Sequence, residues 1–252
     1  MRSIWIVRHG ERVDNVNPSW RLNAPRGAWD DPILTDRGHQ QAREVGLQLA
    51  KANEPIDYVF CSPFTRTIQT ATGILNSLEE TGSHLYKKIG VPPIFVEPGF
   101  CESLHVCQPT PGHLEMKELT QLFPRIDQNY KPYHTKHYTE TTSMCCQRRI
   151  SDTIEKLLKD YLGNVLIVSH GSPIAACHVA LSGRSVYVGQ CTISHYSMHE
   201  KPQSELDNLE NEEVVQEAAQ DFVVKSEKFH FKPTLLGDSS HLSDQTNLRG
   251  CE

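Results

Sequence analysis

The sequence lacks several features that mark secreted and membrane proteins. Its eight cysteines are scattered without a CxxC pair, and no apolar run approaches the ~20 residues of a membrane span. The only N-x-S/T tripeptide has proline at its centre, which excludes it as a glycan acceptor. An apolar strand pattern begins directly at the first residues, so we expect no secretory leader. These absences predict a cytoplasmic protein with reduced, mostly buried cysteines.

An excess of positive charge is also missing. The formal net charge is −6 and the isoelectric point is about 6.1, which argue against nucleic acid as a partner. Residues 199–252 contain 5 Lys and Arg against 12 Asp and Glu, whereas the first 198 residues contain 20 against 19. We therefore predict a folded domain over residues 1–200 and an acidic, partly disordered tail over residues 201–252. Within that tail, residues 205–220 favour a surface helix.

Short aliphatic runs alternate with helical patterns along the first 200 residues. The runs predict strands at 4–7, 56–62, 94–98, 165–168 and 191–198. Apolar repeats predict helices at 36–52, from 63 onward, at 145–162 and at 172–183. Residues 103–140 lack sustained periodicity and are expected to form an insertion or lid. The alternation predicts an α/β fold, a three-layer α/β/α sandwich with a mainly parallel central sheet.

Two of the predicted strands end in a histidine followed by glycine. The first is IWIVRHGER, which contains His9, and the second is VLIVSHGSP, which contains His170. Ligands in open α/β sheets bind at the carboxyl ends of the strands, so we expect both histidines to face one site. Arg8 and Arg12 flank His9, and arginine forks match the geometry of phosphate. The pattern predicts an anion site.

The residue types at these strand ends suit phosphoryl transfer. A neutral imidazole can attack phosphorus, and guanidinium groups can hold the phosphoryl oxygens. Arg66 begins a helix after CSPFT, and Glu102 follows another predicted strand, where a carboxyl group could act as acid and then as base. Glu97 and Glu11 are alternative acids. Glu97 lies within or at the end of its strand, and Glu11 is better placed to support the loop.

Five ordered motifs resemble the histidine phosphatase superfamily, whose fold is called phosphoglycerate-mutase-like. They are RHGER, LTDRGHQQA, CSPFTRTIQTA, EPGFCE and VSHGSP. The resemblance implies that His9 becomes phosphorylated. It also implies a phosphate pocket of Arg8, Arg12, Arg66 and His170, a proton donor at Glu102, and neither metal nor organic cofactor. RHGERVD and VEPGF are most similar to the phosphatase domain of the suppressors of T-cell-receptor signalling and of ecdysteroid-phosphate phosphatases.

The sequence is compatible with three functions. The first is a phosphomonoesterase acting on a small phosphorylated molecule or a phosphoprotein, with phosphotyrosine and steroid phosphates as candidates. The second is a phosphoglycerate mutase, which the absence of arginine from residues 103–107 disfavours, since a mutase must hold two anionic groups. The third is a catalytically weak protein that uses the same fold for binding. The resemblance suggests a homodimer, although no residue pattern indicates one, and we expect no membrane partner.

Other conspicuous residues have simpler explanations. The pairs His134 and His137, and His195 and His199, have metal-like spacings but are not expected to bind metal. Arg148 and Arg149 are interpreted as a solvated helix face. Trp20 and Trp29 lie in the segment that we expect to set substrate selectivity, where they could stack on an aromatic substrate or form a small core.

Overall fold

The structure is a computed structural model that describes residues 2–52, 54–81, 86, 90–135, 139–186, 188–200, 222–224 and 229–248. The strands of this described part form one six-stranded sheet. They are β1 (Arg2–Arg8), β2 (Tyr58–Cys61), β3 (Ile94–Val96), β4 (Val165–Ser169), β5 (Ile193–Glu200) and β6 (Phe229–Asp238).

The strand order places the site residues at one edge of the sheet. The order is β3-β2-β4-β1-β5-β6. Strands β3, β2, β4 and β1 are parallel, whereas β5 is antiparallel to β1 and β6 is antiparallel to β5. The carboxyl ends of the four parallel strands therefore meet at one edge. His9 follows β1, Ser62 follows β2, and His170 follows β4 at that edge.

Helices cover both faces of the sheet. The helices of the described residues are α1 (Trp20–Asn23), α2 (Asp36–Lys51), α3 (Thr65–Glu80), α4 (Met116–Leu122), α5 (Ser143–Asp160) and α6 (Gly171–Ser182). None of these helices has the length and apolar character needed to cross a bilayer.

The side chains of each central strand alternate between two apolar cores. Val7 and Val168 pack with α2 and α3 on one face of the sheet, whereas Ile6 and Ile167 pack with α5 and α6 on the other. This alternation is the period-two pattern of a strand buried on both faces. The predicted three-layer α/β/α sandwich with a mainly parallel sheet is confirmed.

The ends of two helices follow the signals in the sequence. The Thr35 hydroxyl accepts a hydrogen bond from the Gly38 amide at 3.0 Å and caps the start of α2. Gly183 ends α6 with φ 70°, a left-handed conformation that glycine adopts without steric cost. Each of these ends therefore carries a residue type that favours it, a hydroxyl at the start of α2 and a glycine at the end of α6.

The C-terminal tail differs from its prediction. The polar residues 237–252 are typical of disorder, yet β6 pairs with β5 and residues 239–248 fold back onto the body of the protein. Leu242 is only 4% exposed and belongs to the core beside α2. The hydrophobic pattern does not predict β6, because β6 is an edge strand with mostly exposed side chains, held by backbone hydrogen bonds. The helix predicted at 205–220 lies outside the described residues, and the boundary at residue 200 stays a prediction.

Candidate active site

His9 lies at the carboxyl end of β1 and is only 1% exposed. Its Nδ1 lies 2.8 Å from the carbonyl oxygen of Gly10, so Nδ1 carries the proton and donates it. Nε2 is buried without a hydrogen-bond partner among the described residues. Burial lowers the pKa of His9 well below its usual value, and the charges of three arginines lower it further. The ring is therefore neutral near pH 7, with an available lone pair on Nε2.

The turn around His9 depends on a close approach between two glycines. A Cβ atom on Gly10 would lie 2.5 Å from the carbonyl oxygen of Gly38 at the start of α2. A side chain at this position would displace the loop after β1, because backbone atoms cannot yield as a flexible side chain can. The Gly10 amide also donates to Thr70 of α3 at 3.1 Å. These contacts hold the His9 backbone between two helices.

His170 enters the same site from the end of β4. Its ring centroid lies 5.3 Å from that of His9, with the two rings nearly edge to face. Nε2 lies 2.7 Å from the Ser62 hydroxyl, and Nδ1 lies 3.8 Å from a carboxylate oxygen of Glu102. Burial, Arg66 and the neighbouring His9 lower the pKa of His170 well below its usual value. Ser62 thus fixes the ring and leaves Nδ1 as the nitrogen available to a ligand.

Three arginines place positive charge around His9. Arg66 is 1% exposed, donates to the carbonyl oxygen of Asp30 at 2.8 Å and lies 4.6 Å from the centre of the Phe64 ring. Arg8 is also buried and donates to the carbonyl oxygen of Val188 at 2.9 Å. Unlike these two, Arg12 is half-buried. The positive charges of Arg66, Arg8 and Arg12 each lower the pKa of His9.

Asp14 holds Arg12 in a forked ion pair. Its two carboxylate oxygens accept from Nε and Nη2 of Arg12 at 2.9 and 2.8 Å. This bidentate geometry fixes the plane of the guanidinium group and leaves Nη1 outside the pair. Asp14 is not among the site residues predicted from the sequence, although a carboxylate two residues from a predicted phosphate ligand is a usable signal.

Arg12, Arg66 and Glu102 all line one cavity of about 200 Å³. Its remaining lining residues are Asp14, Trp29, Asp30, Pro32, Val106 and Cys107. Pro32 apart, they lie in residues 13–31, the segment of Trp20 and Trp29, or in the expected insertion over residues 103–140. The Trp20 indole donates to the Trp29 carbonyl at 2.9 Å, and Arg21 lies 4.2 Å from the centre of the Trp29 ring.

The three candidate carboxylates have different surroundings. Glu102 faces the cavity and accepts only the Ser103 amide among the described hydrogen bonds, at 2.9 Å. Glu97 is fully buried and accepts from Gly99 and Tyr130, each at 2.7 Å, and from two further amides. Glu11 accepts from Thr35 at 2.7 Å and Arg37 at 2.8 Å. Glu102 is therefore the carboxylate with an oxygen free to meet a ligand at this edge.

The burial of Arg149 shows that its interpretation as part of a solvated helix face is wrong. Arg149 is 5% exposed rather than solvated, and it forms an ion pair with Glu140 at 2.7 Å. It also donates to the backbone oxygens of Gly99, Cys101 and Glu102 at 2.7, 3.0 and 3.1 Å. The pair therefore holds the loop that carries Glu102. Arg149 occupies the i+3 position from the buried Cys146, so helical periodicity could have indicated its burial.

The metal-like histidine pairs lie away from this site. His195 stacks on Trp5 with ring centroids 3.9 Å apart, and its Nε2 lies 3.5 Å from Glu54. His199 instead stacks on His230 across the β5–β6 pair. His134 lies 3.3 Å from Asp152, and its predicted partner His137 lies outside the described residues. Among the described residues, no three His, Cys, Asp or Glu side chains gather as metal ligands would.

Comparison with known proteins places this geometry in a family context. The family model of the histidine phosphatase superfamily (branch 1) matches residues 4–201. The chain is 32% identical over 213 residues to ecdysteroid-phosphate phosphatase of Drosophila melanogaster, covering 72% of this chain and 27% of that protein. It is also 32% identical over 216 residues to ubiquitin-associated and SH3 domain-containing protein B of Mus musculus, covering 73% and 33%. The chain thus spans about a third or less of these relatives.

A solved structure shows the same fold. The ecdysone phosphate phosphatase of Bombyx mori, solved in complex with tungstate, matches with a TM-score of 0.62 at 24% identity. The match covers 78% of this chain and 89% of that chain.

Proposed function

Because the chain belongs to the histidine phosphatase superfamily, we propose that it is a metal-independent phosphomonoesterase that acts through a phosphohistidine on His9. One observation carries the proposal. His9 presents an available Nε2 lone pair amid three guanidinium groups, with Glu102 beside the partner histidine.

The first half-reaction forms the phosphoenzyme. Arg8, Arg12, Arg66 and His170 hold the phosphoryl oxygens while Nε2 of His9 attacks phosphorus. The N–P bond forms as the bond from phosphorus to the ester oxygen breaks. Protonated Glu102 gives its proton to the departing oxygen, and the hydrogen bond to the Gly10 carbonyl stabilises the positive charge that develops on the His9 ring.

The second half-reaction returns the enzyme to its starting state. The Glu102 carboxylate takes a proton from water as the water oxygen attacks the phosphorus of phosphohistidine. The N–P bond breaks, its electron pair returns to Nε2 of His9, and inorganic phosphate leaves. Glu102 is then protonated again for the next substrate.

The cavity lining supports a substrate with one phosphate and an apolar remainder. Trp29, Val106 and Cys107 offer apolar surface, whereas Asp14 and Asp30 oppose a second anionic group. We therefore propose an aryl or steroid phosphate, or a protein phosphotyrosine, as substrate. The same acidic lining disfavours a mutase, which must bind two anionic groups at once.

Trapping the phosphoenzyme tests this function. The protein is mixed with ³²P-labelled phenyl phosphate and quenched in alkali, which preserves phosphohistidine. Wild type should retain label and should also hydrolyse p-nitrophenyl phosphate, whereas His9→Ala should do neither. His39→Ala serves as the matched control, because His39 is exposed on α2. Label retained by His9→Ala would refute the assignment of the nucleophile.

A second comparison separates the roles of the two histidines. His170→Ala should still form labelled phosphoenzyme, but more slowly, because His170 is assigned to hold phosphate oxygens and not to accept the phosphoryl group. Labelling of His170→Ala at the wild-type rate would show that this ring does not contact the phosphoryl group during transfer.

Location and assembly remain part of the proposal. The scattered cysteines of the sequence support a cytoplasmic protein, and we propose a homodimer by analogy with the family. Light scattering coupled to gel filtration distinguishes a protein of twice the 28.5 kDa chain mass from a monomer.

A further inference from the structure

The loop at residues 188–192 contacts the arginine next to the nucleophile. The Val188 carbonyl accepts from the Arg8 guanidinium at 2.9 Å, and the Cys191 amide donates to the Arg8 carbonyl at 3.1 Å. Both the side chain and the backbone of Arg8 are therefore tied to this loop. None of the phosphate-binding residues assigned above belongs to the loop.

Gln190 extends the same loop to the second arginine. Its side chain is buried, with the whole residue 1% exposed, and its Nε2 donates to Oδ1 of Asn15 at 2.7 Å. That Asn15 oxygen also accepts from the Arg12 amide at 3.1 Å. The Gln190 side chain and the Arg12 backbone thus share one acceptor, which fixes the turn that carries Arg12.

Gln190 is itself held by the C-terminal segment, residues 239–248. The Gln190 amide donates to the Leu248 carbonyl at 2.8 Å, and the His241 ring donates to the Cys191 carbonyl at 3.0 Å. The segment is anchored by the buried Leu242 and by an ion pair of Asp244 with Arg37 at 2.9 Å. It lies beyond residue 201, where the family match ends.

We propose that Gln190 is a positioning residue of the phosphate pocket, which holds the Arg12 turn in place and is supported by the C-terminal segment. This inference rests on the proposed function of that pocket. Gln190 acts through Asn15 and does not itself touch the phosphoryl group. Its loss should weaken oxyanion binding more than it weakens folding, because the neighbouring apolar cores do not depend on its amide.

Orthovanadate binding to the full chain, measured by titration calorimetry, tests the inference. Gln190→Met keeps the volume of the side chain but removes its amide donor. The dissociation constant for vanadate should rise about fivefold to tenfold, as expected for one lost hydrogen bond. kcat/KM for p-nitrophenyl phosphate should fall by a similar factor, while the midpoint of thermal unfolding stays close to that of wild type.

Asn15→Ala breaks the same hydrogen bond from the other side, so the contact is tested even if Gln190→Met does not fold. In the Asn15→Ala background, adding Gln190→Met should change the vanadate constant less than about twofold. Asp57→Ala is the matched control. It removes the carboxylate that accepts the Asn164 amide at 2.7 Å, at the opposite end of the sheet from the pocket, so it should lower thermal stability without changing vanadate affinity.

The outcomes separate the two proposals. A folded Gln190→Met protein with wild-type vanadate affinity overturns the positioning role alone, as does an equal effect of the substitution in both backgrounds. Wild type that binds vanadate without hydrolysing phosphate esters overturns the proposed activity, while the ratio of binding constants still tests Gln190. Wild type that does not bind vanadate overturns both.

Discussion

Acidification from pH 7.5 to 5.5 should destabilise the folded protein through its two site histidines. Burial and neighbouring arginines lower the pKa of His9 and of His170 well below that of an unfolded histidine. The unfolded chain therefore binds more protons than the folded chain in this interval. Stability must then rise with pH, and it is lost as the pH falls through the unfolded value near 6.5.

The size of this loss of stability follows from the number of protons that an unfolded histidine takes up. An unfolded histidine gains about 0.8 proton between these two pH values. A folded ring that stays neutral throughout therefore costs about 1.4 kcal/mol of stability over the interval. His9 and His170 should each contribute up to this amount. A bound oxyanion should reduce the loss, because negative charge next to the rings favours their protonated forms.

Urea unfolding of His9→Asn isolates one of the two contributions. The Asn amide can replace Nδ1 as the donor to the Gly10 carbonyl, so the local fold is preserved. Other buried histidines, such as His178 with its pKa lowered to about 4 by burial, contribute equally to both proteins and cancel in the difference. The variant should lose about 1.4 kcal/mol less than wild type between pH 7.5 and 5.5. Equal losses in the two proteins would refute the idea that a neutral His9 is enforced by its surroundings.

Three further predictions concern the groups around the site. Glu102→Gln should lower kcat/KM, which reports phosphoenzyme formation, far more for alkyl phosphates than for p-nitrophenyl phosphate, whose leaving group needs no proton; an equal fall of kcat/KM for both substrates would contradict the role of an acid. Glu140→Gln should lower the free energy of unfolding by about 3 kcal/mol, because it leaves the buried charge of Arg149 unpaired. Urea unfolding measures this, and Glu155→Gln in an exposed pair with Lys159 should change little. Thr35→Ala should cost about 1 kcal/mol through the lost cap of α2, and retained stability would show that the cap contributes nothing.

The sequence was sufficient for the parts of the fold that repeat a strong pattern. Four aliphatic runs became the parallel strands, and their ends brought His9 and His170 to one edge. The position of the two histidines could be predicted because the strands are parallel. Residues that follow parallel strands lie at the same edge of the sheet, whatever the conformation of the intervening loops.

The roles of residues that form buried contacts with distant parts of the chain were harder to predict. Ser62 and Arg149 look unremarkable in the sequence, because the partners that define them are distant in the chain. Ser62 contacts a ring at residue 170, and Arg149 binds carbonyl groups at residues 99–102. Helical periodicity could indicate that Arg149 is buried, but the partners of both residues depend on tertiary packing.

The C-terminal segment was wrongly expected to be disordered, because its sequence does carry a signal, a polar composition, that pointed to disorder. Its polar composition is real, but its polar groups bind the body of the protein. Ser243 and Asp244 pair with side chains of α2, Leu242 is buried in the core, and the partly buried Leu248 packs against it. One buried leucine in ten residues is too weak a signal to distinguish an ordered C-terminal segment from a disordered one.

The position of β1 in the sheet has a consequence for the order of folding during synthesis. β1 lies between β4 and β5, which begin at Val165 and Ile193, so it leaves the ribosome long before either neighbour. Chains emerge from the N-terminus at about 5–20 residues per second, so β1 and its reactive histidine must wait many seconds for either neighbour. We expect the nascent chain to remain a client of chaperones until β4 emerges, because long-range pairing of this kind cannot begin earlier. The phosphate pocket would be completed last, when Leu248 becomes available to Gln190.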